Sequence, residues 1–182
     1  RAMGKQEKNN TFRGHMVLQE AVLIIAVVVI YIGISLVIDH SRSPGLLATT
    51  VLVLAVVKVL FFLSHTFRRI GGGIETCHSF NELLLVLALL SFTIVISFAL
   101  DFACLAHAAP ASFSGTQTTA AFWQQMFDFF YFSIVTFATI GYGDIVPTTM
   151  TARALVILEI ITSFIMIVFI LSNFDRIKAI GK

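Results

Sequence analysis

Long apolar runs, separated by short polar segments, dominate the hydrophobic pattern of this chain. Four runs are about as long as the roughly 20 residues that a helix needs to cross a bilayer, and they cover residues 16–38, 46–67, 83–106 and 152–174. None of them alternates apolar and polar positions as a barrel strand does. Because only helices and closed barrels satisfy their backbone groups in lipid, the pattern predicts four transmembrane helices.

A fifth apolar run, Phe122 to Phe137, is too short to cross a bilayer and leads directly into a glycine-containing segment. We predict that it is a re-entrant pore helix that starts near Trp123 or Gln124 and points its C-terminal end at an ion pathway. The negative end of its dipole would then lie close to a cation. The predicted fold is an all-α membrane protein with four spans and one re-entrant helix.

Composition supports a membrane protein independently of the pattern. The 182 residues are 58% hydrophobic and 12% charged, with a mean hydropathy of +0.94, which exceeds the values of ordinary soluble domains. No combination of nucleophile, base and orienting group suggests catalysis. We therefore expect no enzymatic activity and no nucleic-acid partner; the lipid bilayer is the expected surrounding.

Positive charge predicts the orientation. Lys and Arg cluster before the first run, after the second and after the fourth, whereas the loop over residues 107–125 contains neither. Both termini are therefore predicted to be cytoplasmic, with the protein in the plasma membrane. The predicted organisation is an N-terminal segment 1–15, a peripheral hairpin 16–67, a cytoplasmic loop 68–82, a pore domain 83–175 and a cytoplasmic C-terminal segment 176–182.

Residues 139–144, Thr-Ile-Gly-Tyr-Gly-Asp, carry the candidate chemistry. An extended segment can turn its carbonyls to one side only if its dihedrals alternate in hand, and Gly141 and Gly143 can take positive φ without a Cβ penalty. These dihedrals would turn the backbone carbonyls of Thr139, Ile140, Gly141 and Tyr142 toward one side of the segment. A dinucleotide-binding loop would need a third glycine where Val146 stands.

This segment resembles the selectivity filter of potassium channels. The resemblance implies that the ligands of K⁺ are the backbone carbonyls of Thr139, Ile140, Gly141 and Tyr142, together with the Thr139 hydroxyl. Residues 83–182 resemble the two-helix pore module of the ion-channel superfamily, in the form found in small prokaryotic potassium channels. The further residues that carry the resemblance are Ile145-Val146-Pro147, Ala152-Arg153 and Leu158-Glu159. The resemblance implies a potassium-selective channel subunit that conducts K⁺ passively, and a single filter per chain implies a homotetramer.

The same resemblance implies roles for residues that support the filter. Tyr131 and Phe132 stand where many relatives carry paired tryptophans. Tyr131 is predicted to donate a hydrogen bond to Asp144, while Phe132 can only pack. Gly143 and Asp144 complete the predicted support. Val135 replaces a carboxylate that pairs with the filter aspartate in some relatives.

The fourth apolar run departs from relatives that bend at a central glycine, because residues 145–180 contain none. Ser163 lies near the expected hinge, and a serine bends a helix only weakly by bonding to the preceding turn. The candidate gate residues are Ser163, Ile167, Ile170 and Leu171. Gating at the filter itself stays open as an alternative.

Ionisable residues within the apolar runs need partners, because a charge at the bilayer centre costs at least about 2.5 kcal/mol. The candidates are Glu20, Lys58, Asp101 and Glu159. Lys58 is predicted to pair with Glu20 or to extend toward the cytoplasm. Glu159 is predicted to bond behind the pore helix, with a place in the ion cavity as the alternative.

Other functions stay open at this point. One is a non-selective cation channel or a potassium uptake transporter subunit. Another is a membrane-anchored sensor or scaffold built on a Gly71–Gly73 loop with Cys77 and His78. Those two potential ligands without a second cluster are more typical of a solvent-facing loop than of a metal site. An unidentified regulatory ligand or subunit is compatible with each of these functions.

Overall fold

The computed structural model describes residues 44–73, 80–116 and 121–172. Within these ranges the chain forms long helices and one pair of very short strands. In chain order the elements are α1 Pro44–Gly73, α2 Phe80–Ala108, β1 Phe113–Ser114, α3 Phe122–Phe137, β2 Val146–Pro147 and α4 Met150–Ser172. The first predicted span, residues 16–38, lies outside the described residues.

Three of the described helices are long and apolar enough to cross a membrane, over Gly45–Ser64, Ala88–Ala108 and Met150–Phe169. They overlap the second, third and fourth predicted spans, so the prediction of these helices is confirmed. The shorter helix α3 covers Phe122–Phe137, the whole of the fifth apolar run, and begins one or two residues before the start that we predict for the pore helix. Its first turn is held by the Gln124 side chain, which accepts a hydrogen bond of 3.3 Å from the Ala121 amide.

Helix α1 extends further than its apolar run predicts. It continues to Gly73, so the three glycines form its last residues and not the predicted loop. Glycine lowers helix stability by about 1 kcal/mol per residue relative to alanine, but it does not forbid a helix. The end of an apolar run therefore marks where the side chains become polar rather than where the helix ends. Cys77 and His78 lie outside the described residues.

An aromatic cluster holds strand β1 and helix α3 against α2. Phe102 of α2 packs edge-on against Phe132 of α3, with ring centroids 5.0 Å apart. Phe113 of β1 packs in the same way against Phe129, at 5.1 Å. All four rings are buried, and edge-to-face pairs at this spacing are favourable beyond the area that they bury. Phe132 therefore packs, as predicted.

An ion pair inside the apolar region joins α1 to α2. The Lys58 ammonium group donates to the Asp101 carboxylate and also to the Ser97 carbonyl oxygen at 3.2 Å, and it lies 4.9 Å from the ring centroid of Phe98. The predicted extension of Lys58 toward the cytoplasm is therefore wrong, and Glu20, its other predicted partner, lies outside the described residues. Packing of α1 on α2 brings two opposite charges together, and the sequence pattern alone does not reveal which helices are neighbours.

We expect Lys58→Met to lower the free energy of unfolding by about 3–5 kcal/mol, because it leaves Asp101 buried without its cation. The double variant Lys58→Met/Asp101→Leu removes both charges and should recover most of that stability. Thermal unfolding of the purified protein in detergent, followed by circular dichroism, measures both changes. A double variant that is less stable than the single variant would contradict a direct pairing.

Candidate functional site

The backbone dihedral φ alternates between positive and negative values along residues 139–143. Thr139, Gly141 and Gly143 have φ values of +57°, +62° and +79°, whereas Ile140 and Tyr142 between them are not in the positive region. This alternation turns successive carbonyls toward the same side of the segment. The predicted positive φ of both glycines is confirmed. The positive φ of Thr139 was not predicted, because a left-handed residue with a Cβ costs about 1–2 kcal/mol.

The first amides of this segment bond backward to helix α3. The Thr139 amide donates to the Thr136 carbonyl, and the Ile140 amide donates to the Val135 carbonyl, both at 2.9 Å. Carbonyls in the last turn of a helix lack partners within the helix, so these bonds satisfy both groups. Among the described residues, no backbone amide donates to the carbonyls of residues 139–142. Those carbonyl oxygens therefore remain available to a ligand.

The 139–143 segment is exposed in a single chain. Tyr142 is 67% exposed and Ile140 is 52% exposed. A Cβ added at Gly141 or Gly143 would meet nothing within 4 Å. One chain therefore leaves this segment open and does not enclose a ligand by itself.

The predicted contact between Tyr131 and Asp144 is present. The Tyr131 hydroxyl hydrogen-bonds the Asp144 carboxylate, and this bond, with help from the Asp144 and Ile145 amides, holds the pKa of Asp144 below its usual range although partial desolvation acts in the opposite direction. The same hydrogen bond raises the pKa of Tyr131. The Tyr131 ring also stacks on Tyr142, with centroids 6.5 Å apart and planes 4° from parallel. Tyr131 therefore contacts both the middle and the end of the segment.

Gly115 is a site residue that the sequence reasoning missed. Its φ is +90°, and a Cβ there would lie 1.9 Å from the Asp144 carbonyl oxygen. The approach is set by the antiparallel pairing of β1 with β2, which places Ser114 opposite Val146. The only signal in the sequence is a Ser-Gly pair in a polar loop, which predicts a turn but not its neighbour.

Helix α4 has one buried and one exposed face. The buried residues are Ala152, Leu155, Glu159, Thr162, Ser163 and Met166, and the exposed ones include Ile157, Ile160, Ile161, Phe164, Ile167, Val168 and Leu171. Of the candidate gate residues, Ile167 and Leu171 therefore lie on the exposed face. Ser163 is buried and donates to the Glu159 carbonyl at 2.8 Å. The side chain of Ile170 is outside the described part of the chain.

Glu159 lies on the buried face of α4 and is 0% exposed. Its Oε1 atom is 2.5 Å from the Ser133 hydroxyl of α3. The structure therefore places this carboxyl group behind the pore helix, as favoured from the sequence, and away from the face that carries Ile167 and Leu171.

Comparisons with known proteins agree with this geometry. The chain is similar to Two-pore potassium channel 4 of Arabidopsis thaliana, with 38% identity over 90 residues that cover 50% of this chain and 29% of that protein. It is similar to Potassium channel K2 of Plasmodium berghei (strain Anka), with 40% identity over 60 residues that cover 30% of this chain and 4% of that protein. Potassium channel K2 of Plasmodium falciparum (isolate 3D7) is 38% identical over 60 residues, again 30% of this chain and 4% of the relative.

The chain thus spans less than a third of the length of each of these relatives. No solved structure matches the chain significantly. A family described as "Ion channel" matches residues 83–178, which is more than half of the chain and includes α3, the 139–144 segment and α4. This match shows that the chain belongs to that ion channel family.

Proposed function

We propose that the chain is a potassium-selective channel subunit through which K⁺ moves passively down its electrochemical gradient. The observation that carries the proposal is the alternating hand at Thr139, Gly141 and Gly143, because it lines up the carbonyls of residues 139–142 as a ladder of oxygens that can replace the hydration shell of the ion. The Thr139 hydroxyl adds an oxygen at the inner end. The names of the three relatives, all potassium channels, support the choice of ion.

One ladder per chain cannot surround an ion, so the proposed unit is a homotetramer with four copies of residues 139–142 around one axis. The open side of this segment supports the assembly, because Tyr142 and Ile140 are largely exposed in a single chain. The exposed apolar face of α4, centred on Phe164, would line the inner cavity or contact neighbouring copies. In this arrangement α2 is the outer helix, α3 the pore helix and α4 the inner helix.

The proposed orientation follows the distribution of Lys and Arg, with both termini in the cytoplasm and the protein in the plasma membrane. Asp144 then lies at the outer mouth of the filter, and the C-terminal end of α3 directs its partial negative charge at the ions. The proposed gate is either the filter itself or an apolar constriction formed by Ile167, Ile170 and Leu171.

The test is a planar-bilayer recording of the purified chain with K⁺ on one side and Na⁺ on the other. At equal concentrations of the two ions, a potassium-selective channel gives a reversal potential far from zero, in the direction that opposes the flow of K⁺. A non-selective cation channel gives one near zero, and a scaffold gives no current at all. The scaffold alternative depended on a flexible loop at Gly71–Gly73, but these residues are helical. Among the described residues, no cluster of His, Cys, Asp and Glu is suited to a metal ion.

We expect Tyr131→Phe to shorten the conducting state of the filter several-fold while the tetramer still assembles. The substitution keeps the ring that stacks on Tyr142 and removes only the bond to Asp144. That bond lowers the pKa of Asp144. In the wild type, Asp144 therefore stays ionised until the pH falls through this lowered pKa. The variant should lose the carboxylate at a higher pH.

Single-channel open times, recorded while the outer solution is acidified, measure both effects. Equal open times and an equal acid sensitivity in Tyr131→Phe and the wild type would mean that this bond does not brace the filter.

A further inference from the structure

A buried polar junction connects three helices directly behind the filter. Ser133 of α3 and Glu159 of α4 are both 0% exposed. The Ser133 hydroxyl oxygen lies 2.9 Å from the Val95 carbonyl oxygen of α2 and 2.5 Å from Oε1 of Glu159. Both distances are within the range of a hydrogen bond between oxygens.

Counting protons at this junction assigns the form of Glu159. A serine hydroxyl has a single proton, and the Val95 carbonyl can only accept. If Ser133 donates to Val95, the contact between Ser133 and Glu159 needs a proton from Glu159. If Glu159 were ionised, one of these two contacts would join two oxygen atoms with no proton between them. A neutral Glu159 donates to Ser133, and Ser133 donates to Val95, so both contacts are satisfied.

The surroundings of Glu159 also oppose an ionised carboxylate. Its second oxygen, Oε2, is buried and has no hydrogen-bond partner among the described residues. Among the described residues, Lys58 of α1 and Asp101 of α2 are the charged residues that act on Glu159, but they form an ion pair with each other. Their opposite charges leave no net cation to balance a carboxylate, and a buried charge without compensation is very costly.

We propose that Glu159 is a neutral carboxylic acid that donates its proton to Ser133 and so fixes helix α4 to the pore helix. Glu159 is a positioning residue, because it acts on the filter through Ser133 and α3. The carbonyls of Val135 and Thr136, which accept the first filter amides, lie within one helical turn of Ser133. A change at the junction is therefore transmitted to the start of the filter. This consequence for conduction rests on the proposed channel function, whereas the neutral form of Glu159 does not.

Infrared spectroscopy of the full chain in lipid tests the protonation directly. The carbonyl stretch of a protonated carboxylic acid should be present in the wild type and absent from Glu159→Gln. Ser133→Ala should shift this band to the higher frequency of a weaker hydrogen bond, and Asp128→Asn, which removes another carboxyl from α3, should leave it unchanged. A wild type and a Glu159→Gln variant with the same absorption in this region would overturn the proposal.

Potassium current separates the positioning role from a general need for a buried side chain. Glu159→Gln keeps a donor for Ser133 and should conduct within about twofold of the wild type, whereas Glu159→Leu has a similar volume without a donor and should lose about tenfold. Equal losses in the two variants, with assembly intact by size-exclusion chromatography, would overturn the positioning role. An infrared band that depends on Glu159 in a protein that carries no potassium current would instead reject the channel function alone.

Discussion

Replacing Gly141 by alanine is expected to abolish potassium-selective current. Gly141 has a φ of +62°, and an added Cβ would meet no atom within 4 Å. The effect is therefore conformational and not a clash. A left-handed residue with a Cβ costs about 1–2 kcal/mol, or about 4–8 kcal/mol for four copies in the proposed tetramer. The lower value corresponds to about a thousandfold loss of the conducting conformation.

Reversal potentials under mixed K⁺ and Na⁺ measure this effect, and Gly45→Ala provides the matched control. Gly45 lies at the start of α1, also has nothing within 4 Å of an added Cβ, and does not have a positive φ. The control makes the same chemical change without the left-handed requirement, so its current should equal that of the wild type. Unchanged selectivity in Gly141→Ala would contradict a filter that depends on alternating backbone hand.

Replacing Gly115 by alanine is expected to disable the Asp144 end of the proposed filter, although Gly115 is not part of it. A Cβ at this position would lie 1.9 Å from the Asp144 carbonyl oxygen, and ordinary contact begins at 3.4 Å. A φ of +90° adds backbone strain to the clash. Either Asp144 moves away from Tyr131, or β1 separates from β2. We expect the current to fall at least as far as in Tyr131→Phe.

Ser114→Ala is the control for this loop, because Ser114 is exposed and its hydroxyl is 3.5 Å from the Val146 carbonyl oxygen. It alters the neighbouring residue of β1 without bringing an atom close to Asp144, and should leave the current near the wild-type level. Macroscopic current per assembled tetramer compares the two variants. If Gly115→Ala conducts as well as Ser114→Ala, the contact at Asp144 does not position the filter.

Much of the fold could be predicted because the membrane restricts what an apolar run can become. The runs around Gly45–Ser64, Ala88–Ala108 and Met150–Phe169 had to be helices, since lipid offers no partner to an open backbone. The extent of α3 also followed from hydrophobicity, because the helix coincides with the fifth apolar run. Membership in a channel family confirms that the chain is not an enzyme.

Two of the features that sequence reasoning missed depend on approaches between distant segments, and a third depends on bonds to the end of α3. Lys58 needed a partner, but only the packing of α1 on α2 selects Asp101. Gly115 needs to be glycine because the Asp144 carbonyl lies beside it. The positive φ of Thr139 opposes its intrinsic preference and occurs because α3 accepts the amides of Thr139 and Ile140. Local sequence patterns identify the glycines that can take a positive φ. They do not identify the contacts that hold a residue in an unfavourable backbone conformation.

The pairing of Lys58 with Asp101 also has a consequence for biogenesis. A lysine near the middle of a helix opposes transfer from the translocon into lipid by about 2.5–3.5 kcal/mol. Helix α1 leaves the ribosome before α2, so Lys58 meets its carboxylate only after the second helix has been synthesised. The two charges neutralise each other when both helices are side by side. We therefore expect α1 and α2 to enter the bilayer together as a helical hairpin.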